Sequence, residues 1–131
     1  MDPELFLEAA GTGDLARVKQ LARNGALVNW ADANGFTALL VAALYGHVTV
    51  VLFLGKELNA DVNQAQMDGA TPLYIAAQLG HIEVVRCLVT ELHADVNQKA
   101  DDCATPVHIA AQNGHDEVVR FLVRHGADIR A

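Results

Sequence analysis

Thr71-Pro72-Leu73-Tyr74-Ile75-Ala76-Ala77 returns 34 positions later as Thr105-Pro106-Val107-His108-Ile109-Ala110-Ala111. A looser copy, Thr37-Ala38-Leu39-Leu40-Val41-Ala42-Ala43, stands 34 positions earlier. Each copy leads into a glycine-histidine pair, at Gly46-His47, Gly80-His81 and Gly114-His115. A second apolar run follows, such as Glu83 to Val89, and then Ala94-Asp95-Val96-Asn97. A degenerate copy comes first: Ala9-Ala10-Gly11-Thr12-Gly13-Asp14, then Val18 and Leu21, then Gly25-Ala26-Leu27-Val28-Asn29. Coordinated motifs at one fixed period mark a repeat protein.

Each element has a physical reading. Threonine before proline starts a helix, because its hydroxyl caps an orphan amide and proline at the first helical position forfeits no needed donor. Paired alanines let helices approach closely. Glycine before histidine suits a tight turn with positive φ. Val84, Val85 and Leu88 share one helical face, as do Val118, Val119 and Leu122. Neither helix of a pair can bury its apolar side alone, so neighbouring copies must stack into a short all-helical solenoid.

Together these motifs resemble the ankyrin repeat. The resemblance runs from Leu5 to Ala131, a capping copy followed by three fuller ones. It implies an all-α solenoid of stacked antiparallel helix pairs with hairpin-like loops. A single domain over 1–131 is expected, with copies at approximately 1–31, 32–65, 66–99 and 100–131. The family period is about 33 residues, and one extra residue falls after the second helix. There Glu57-Leu58-Asn59-Ala60 and Glu91-Leu92-His93-Ala94 replace the Gly-Ala of Gly25-Ala26 and Gly126-Ala127. Asn59 suits a left-handed cap better than His93 does. Cys103 takes the turn position held by Gly35 and Gly69, so strain or a changed turn is expected there.

Composition narrows the function classes. The chain has 131 residues, is 52% hydrophobic and carries a formal charge of −7. That charge disfavours nucleic acid and anionic membrane surfaces, both of which demand a basic face. Phe36 to Leu54 holds no formally charged residue and approaches the roughly 20 positions needed to cross a bilayer. Gly46-His47 interrupts it, and later copies place Gln78, Glu83 and Arg86 at equivalent positions, so two short helices and no membrane span are expected. Two cysteines without a disulfide framework, and a start lacking signal-peptide character, point to an intracellular, cytoplasmic protein.

Chemistry is sparse. His47, His81 and His115 occupy one repeat position, so stacking separates them by about 8–10 Å, too far to share a metal bound at about 2 Å. They are read as capping and turn residues, and by the resemblance His108 braces the Thr-Pro turn. Gly11-Thr12-Gly13 lacks the lysine and further glycine of a phosphate loop. No serine occurs. Cys87 takes an apolar core position, and Cys103 lies beside Asp101 and Asp102, away from the basic neighbours that activate a thiol. No enzyme, cofactor or metal is expected.

The resemblance implies binding of another protein on a concave surface of hairpin tips and first helices. Counting by repeat position, Asn34, Phe36, Leu44 and Tyr45 fall there from the first full copy, with Trp30 leading into its hairpin. Met67, Asp68, Gln78 and Leu79 come from the second, and Asp101, Asp102, Gln112 and Asn113 from the third. Aromatics at accessible positions are the usual energetic centre of an interface, so Phe36 and Tyr45 are the expected anchors, with an acidic, amide-rich C-terminal half. A monomer is expected, with homodimerisation through the Phe36/Tyr45 patch as the alternative. A selected binder would also vary at these positions, but framework departures such as Ala38 and Cys103 favour natural origin. The resemblance also raises Asn63 and Asn97 as substrates of an asparaginyl hydroxylase.

Overall fold

The computed structural model describes residues 2–129. Among these residues eight α-helices form four antiparallel pairs: α1 (Glu4–Thr12) with α2 (Leu15–Arg23), and α3 (Ala38–Leu44) with α4 (Val48–Lys56). The next are α5 (Pro72–Leu79) with α6 (Ile82–Arg86), which continues as a π-helical turn at Cys87–Glu91, and α7 (Pro106–Gln112) with α8 (Asp116–Arg124). There is no strand among the described residues. The first helices stack in the order α1, α3, α5, α7, and the second helices form a parallel outer row. No described helix is long and apolar enough to cross a membrane.

The repeated threonines begin the first helices as their chemistry requires. Thr37 accepts a hydrogen bond from the Leu40 amide and Thr71 from the Tyr74 amide, both at 3.2 Å. At Thr105 the amide donates to His108 Nδ1 (3.3 Å), whose ring also meets the threonine hydroxyl at 3.0 Å. Thus His108 does brace its turn. All three threonines are buried, as are Ala42, Ala43, Ala76, Ala77 and Ala110. Their small side chains bring the first helices together, while Leu39, Leu73, Val50, Val84, Leu54, Leu88 and Leu122 fill the space between rows. Each fully buried leucine or valine contributes about 1.5–3 kcal/mol relative to exposure.

His47, His81 and His115 stand at the starts of second helices but do not cap them. Each ring turns back to the preceding pair, where Nε2 donates to a main-chain carbonyl. The acceptors are Gly11 (2.8 Å), Leu44 (3.0 Å) and Gln78 (3.0 Å). Those carbonyls lie near first-helix ends, where helical partners run out. The histidines are therefore ties between repeats.

The extra residue is absorbed at the ends of the second helices. The Ala26 and Ala127 amides reach carbonyls five residues back, at Leu21 and Leu122, both at 3.0 Å. The Ala60 and Ala94 amides reach six back, to Leu54 (3.0 Å) and Leu88 (2.9 Å). Asn59 (φ 56°) and His93 (φ 58°) turn left-handed to make this possible. Leu92, at the added length, packs on Gly55 of the preceding pair, where any Cβ would collide with it. Of the two outcomes expected at Cys103, strain or a changed turn, the structure has the first: the turn is kept at φ 71° and the strain falls on the cysteine backbone.

Candidate functional site

Between the helix pairs, the loops form hairpins held by side-chain oxygens. Asp32 Oδ1 accepts from the amides of Asn34 (2.9 Å) and Phe36 (3.0 Å). Asp68 Oδ1 accepts from the Ala70 amide and Asp102 Oδ1 from the Ala104 amide, both at 3.0 Å. Successive tips are joined through the main chain, Met67 N–H to the Asn34 carbonyl (3.0 Å) and Asp101 N–H to the Asp68 carbonyl (2.9 Å). Gly35 and Gly69 permit this approach: a Cβ on Gly35 would lie 2.9 Å from Gln66 Cα, and one on Gly69 2.8 Å from the Asp101 nitrogen. The tips thus form a connected edge beside the first helices.

The expected site residues divide between exposed and packed positions. Tyr45, Met67 and Leu79 are 61%, 74% and 44% exposed. Tyr45 and Leu79 share one repeat position, and Met67 sits on a hairpin tip. Asn34, Asp68, Asp101, Asp102, Gln112 and Asn113 are also exposed. Trp30, Leu44 and Phe36 are half-buried and pack against the core. Phe36 is therefore a poor companion for Tyr45 as an exposed anchor, since its repeat position is a wall position, filled by buried Ala70 in the next copy. The Leu44 and Gln78 carbonyls serve the histidine ties, and Gln78 also accepts from Asn113 Nδ2 (3.0 Å). Asn63 and Asn97 hold the next loop, their Oδ1 atoms accepting from the amides of Asp95 and Asp128, both at 2.9 Å.

A cleft of about 430 Å³ opens at the N-terminal end of this face, between α1 and α3. Leu7, Gly11, Val41 and Tyr45 supply its apolar surface, and Glu4, Glu8, Thr12 and Asp32 its polar margin. Gly11 lets α3 pack closely at the cleft floor: a Cβ there would lie 2.9 Å from Val41 Cγ1. Glu4, Leu7 and Glu8 were missed because the position count began at the first full copy. Counting from Ala9-Ala10 as from Ala42-Ala43 puts Glu8 in the place of Val41 and Thr12 in that of Tyr45. A smaller hollow of about 300 Å³ lies on the opposite face, lined by Leu15, Thr49, Leu52, Phe53, Lys56 and Glu57.

Charge is segregated between the faces. First helices α1, α3, α5 and α7 contain no lysine or arginine. Arg17, Lys19, Arg23, Lys56, Arg86, Arg120 and Arg124 all lie on second helices, with Lys99 in the last hairpin's approach as the exception among the described residues. Several of these cations tie neighbours together. Lys56 pairs with Glu91 (3.4 Å) and Arg86 with Glu117 (3.5 Å), while the Arg86 guanidinium lies 5.4 Å from the Phe121 ring centre. On the hairpin side, burial, then Asp102 and Asp68, push the Tyr74 phenol above its ordinary value near 10.

Burial and the nearby Glu91 raise the Cys87 thiol, partly offset by Lys56, which makes it a poor nucleophile. Cys103 is exposed, and both cysteines are free. Among the described residues, no group of three or more His, Cys, Asp or Glu side chains could hold a metal ion.

Comparison with known proteins identifies the class. The family described as "Ankyrin repeats (3 copies)" matches residues 4–66 and 57–131. The chain belongs to the ankyrin repeat family. It is a helical-repeat scaffold with the general protein-interaction role typical of such domains. An L-asparaginase of Dirofilaria immitis is 44% identical over 52 residues, which are 40% of this chain and 9% of that protein. The likeness thus spans about one and a half of the 34-residue repeats.

Proposed function

We propose that this chain is a single protein-interaction module, with copies at approximately 1–31, 32–65, 66–99 and 100–131, that holds a partner protein on its concave face of hairpin tips and first helices. The observation carrying this reading is the exposure of Tyr45, Met67 and Leu79 on a face whose backbone is fixed by tip-to-tip hydrogen bonds. Large apolar groups presented on a rigid frame lose little entropy on binding. Burying each is worth about 1.5–3 kcal/mol, so the three can anchor an interface. Asp68, Asp101, Asp102, Gln112 and Asn113 extend the face as a polar, acidic margin. Its two free thiols fit a reducing, cytoplasmic setting.

The test is capture of a partner by wild-type protein and by a Tyr45→Ala/Leu79→Ala variant, with Leu52→Ala as a control on the other face. The concave-face reading predicts that the double variant binds at least about tenfold more weakly, the scale of a hot-spot loss, with melting changed little. Retained binding by the double variant, or loss in the Leu52 control alone, contradicts it. Sedimentation of the wild type addresses self-association: a dimer abolished by the double variant would make a second copy the occupant.

A further inference from the structure

The cleft between α1 and α3 combines two features that favour the same kind of group. Its floor is apolar, from Leu7, Val41 and Tyr45, and its margin carries Glu4, Glu8 and Asp32. None of these carboxylates forms an ion pair among the described residues, whereas cations of the opposite face are engaged with Glu91, Glu83 and Glu117. Asp32 Oδ1 is committed to the amides of Asn34 and Phe36, but its negative charge remains at the cleft. A side chain with an aliphatic stem and a cationic head matches this arrangement. Lysine and arginine lay such stems along apolar surface while the charged head reaches polar groups.

We propose that this cleft receives a lysine or arginine side chain projecting from a basic segment of the partner protein. The proposal rests on the concave face being the binding surface and names the partner's chemistry there. The partner's stem lies over Leu7, Val41 and Tyr45, and its cation sits among Glu4, Glu8 and Asp32. Asp68, Asp101 and Asp102 continue the negative margin along the hairpin tips, so further basic residues of the segment are drawn the same way. First helices carry no lysine or arginine, so among the described residues Lys99, in the last hairpin's approach, is the like charge that stands near this margin. Association of this kind is accelerated by electrostatic steering and weakened by salt.

The experiment selects peptides from a displayed random library on the immobilised whole chain, then measures affinities of a resynthesised winner. The proposal expects lysine or arginine enriched at one position. Replacing that residue with norleucine, which keeps the stem and removes the charge, weakens binding to the wild type at least about tenfold. The Glu4→Gln/Glu8→Gln/Asp32→Asn variant binds the parent peptide with a similar loss and does not distinguish it from the norleucine peptide. That non-additivity places the charge at these carboxylates. The norleucine comparison on wild-type protein holds even if the triple variant folds poorly.

No basic enrichment, no peptide selected, additive losses, or an equal loss in the opposite-face variant Glu57→Gln/Glu83→Gln/Glu91→Gln each overturns the proposal. If peptides then still depend on Tyr45 and Leu79, the concave-face reading survives without it. If they depend on neither, both readings fall.

Discussion

His81 Nε2 donates a 3.0 Å hydrogen bond to the carbonyl of Leu44, joining the third helix pair to the second. The same bond recurs from His47 to Gly11 and from His115 to Gln78, so the stack is held by a ladder of main-chain ties as well as by its core. His81→Ala removes a donor and leaves the Leu44 carbonyl without that partner. The expected loss is about 1–3 kcal/mol in denaturant unfolding. A loss below a few tenths would show that water replaces the ring without cost.

Leu92 occupies the space that a side chain on Gly55 would take, with its Cγ only 2.9 Å from where a Cβ would stand. Alanine for glycine inside a helix ordinarily gains about 1 kcal/mol. Here overpacking, typically about 1–3 kcal/mol, opposes that gain. Gly55→Ala should therefore destabilise the wild type yet stabilise a Leu92→Ala background. A double-mutant cycle without a sign change would contradict the contact.

Cys103 holds φ 71° and Asn59 φ 56°, conformations that cost most non-glycine residues about 1–2 kcal/mol. Asparagine tolerates them. Glycine at either site also loosens the unfolded chain by about 0.4–1 kcal/mol. Cys103→Gly should raise stability by up to about 1 kcal/mol, and Asn59→Gly should be neutral or slightly harmful. Equal effects would mean that the strain is not where the backbone places it.

The Tyr74 phenol is raised above its ordinary value by burial, then by Asp102 and Asp68. A raised folded-state value leaves stability intact below the unfolded value near 10 and removes it as pH climbs through the folded value. Melting temperature measured from pH 9 to above pH 10 should fall more steeply for wild type than for Tyr74→Phe. Parallel curves would exclude this linkage.

Much of the fold was legible in the period. Thr71-Pro72 and Ala76-Ala77 state local rules, a capped helix start and a close approach, and the structure uses them as written. What escaped the reading depends on relations between copies. His81 stands at a helix start, and only the stacking distance reveals that its ring serves Leu44. Phe36 was expected at a position at least partly exposed, and only the packing of the folded chain shows how far its half-buried ring leans on the core. The α1–α3 cleft was hidden for a similar reason: it forms between Leu7 and Glu8 of one copy and Val41 and Tyr45 of the next, which no single motif pairs.

Backbone amide chemical shifts of the labelled chain, followed as a bound partner segment is added, test the central claim most directly. The account predicts that the largest changes fall at Glu8, Tyr45, Met67, Asp68 and Leu79, while Leu52, Phe53 and Lys56 on the opposite face stay still. Changes centred on Leu52, Phe53 and Lys56, with Tyr45 and Leu79 unmoved, would contradict it.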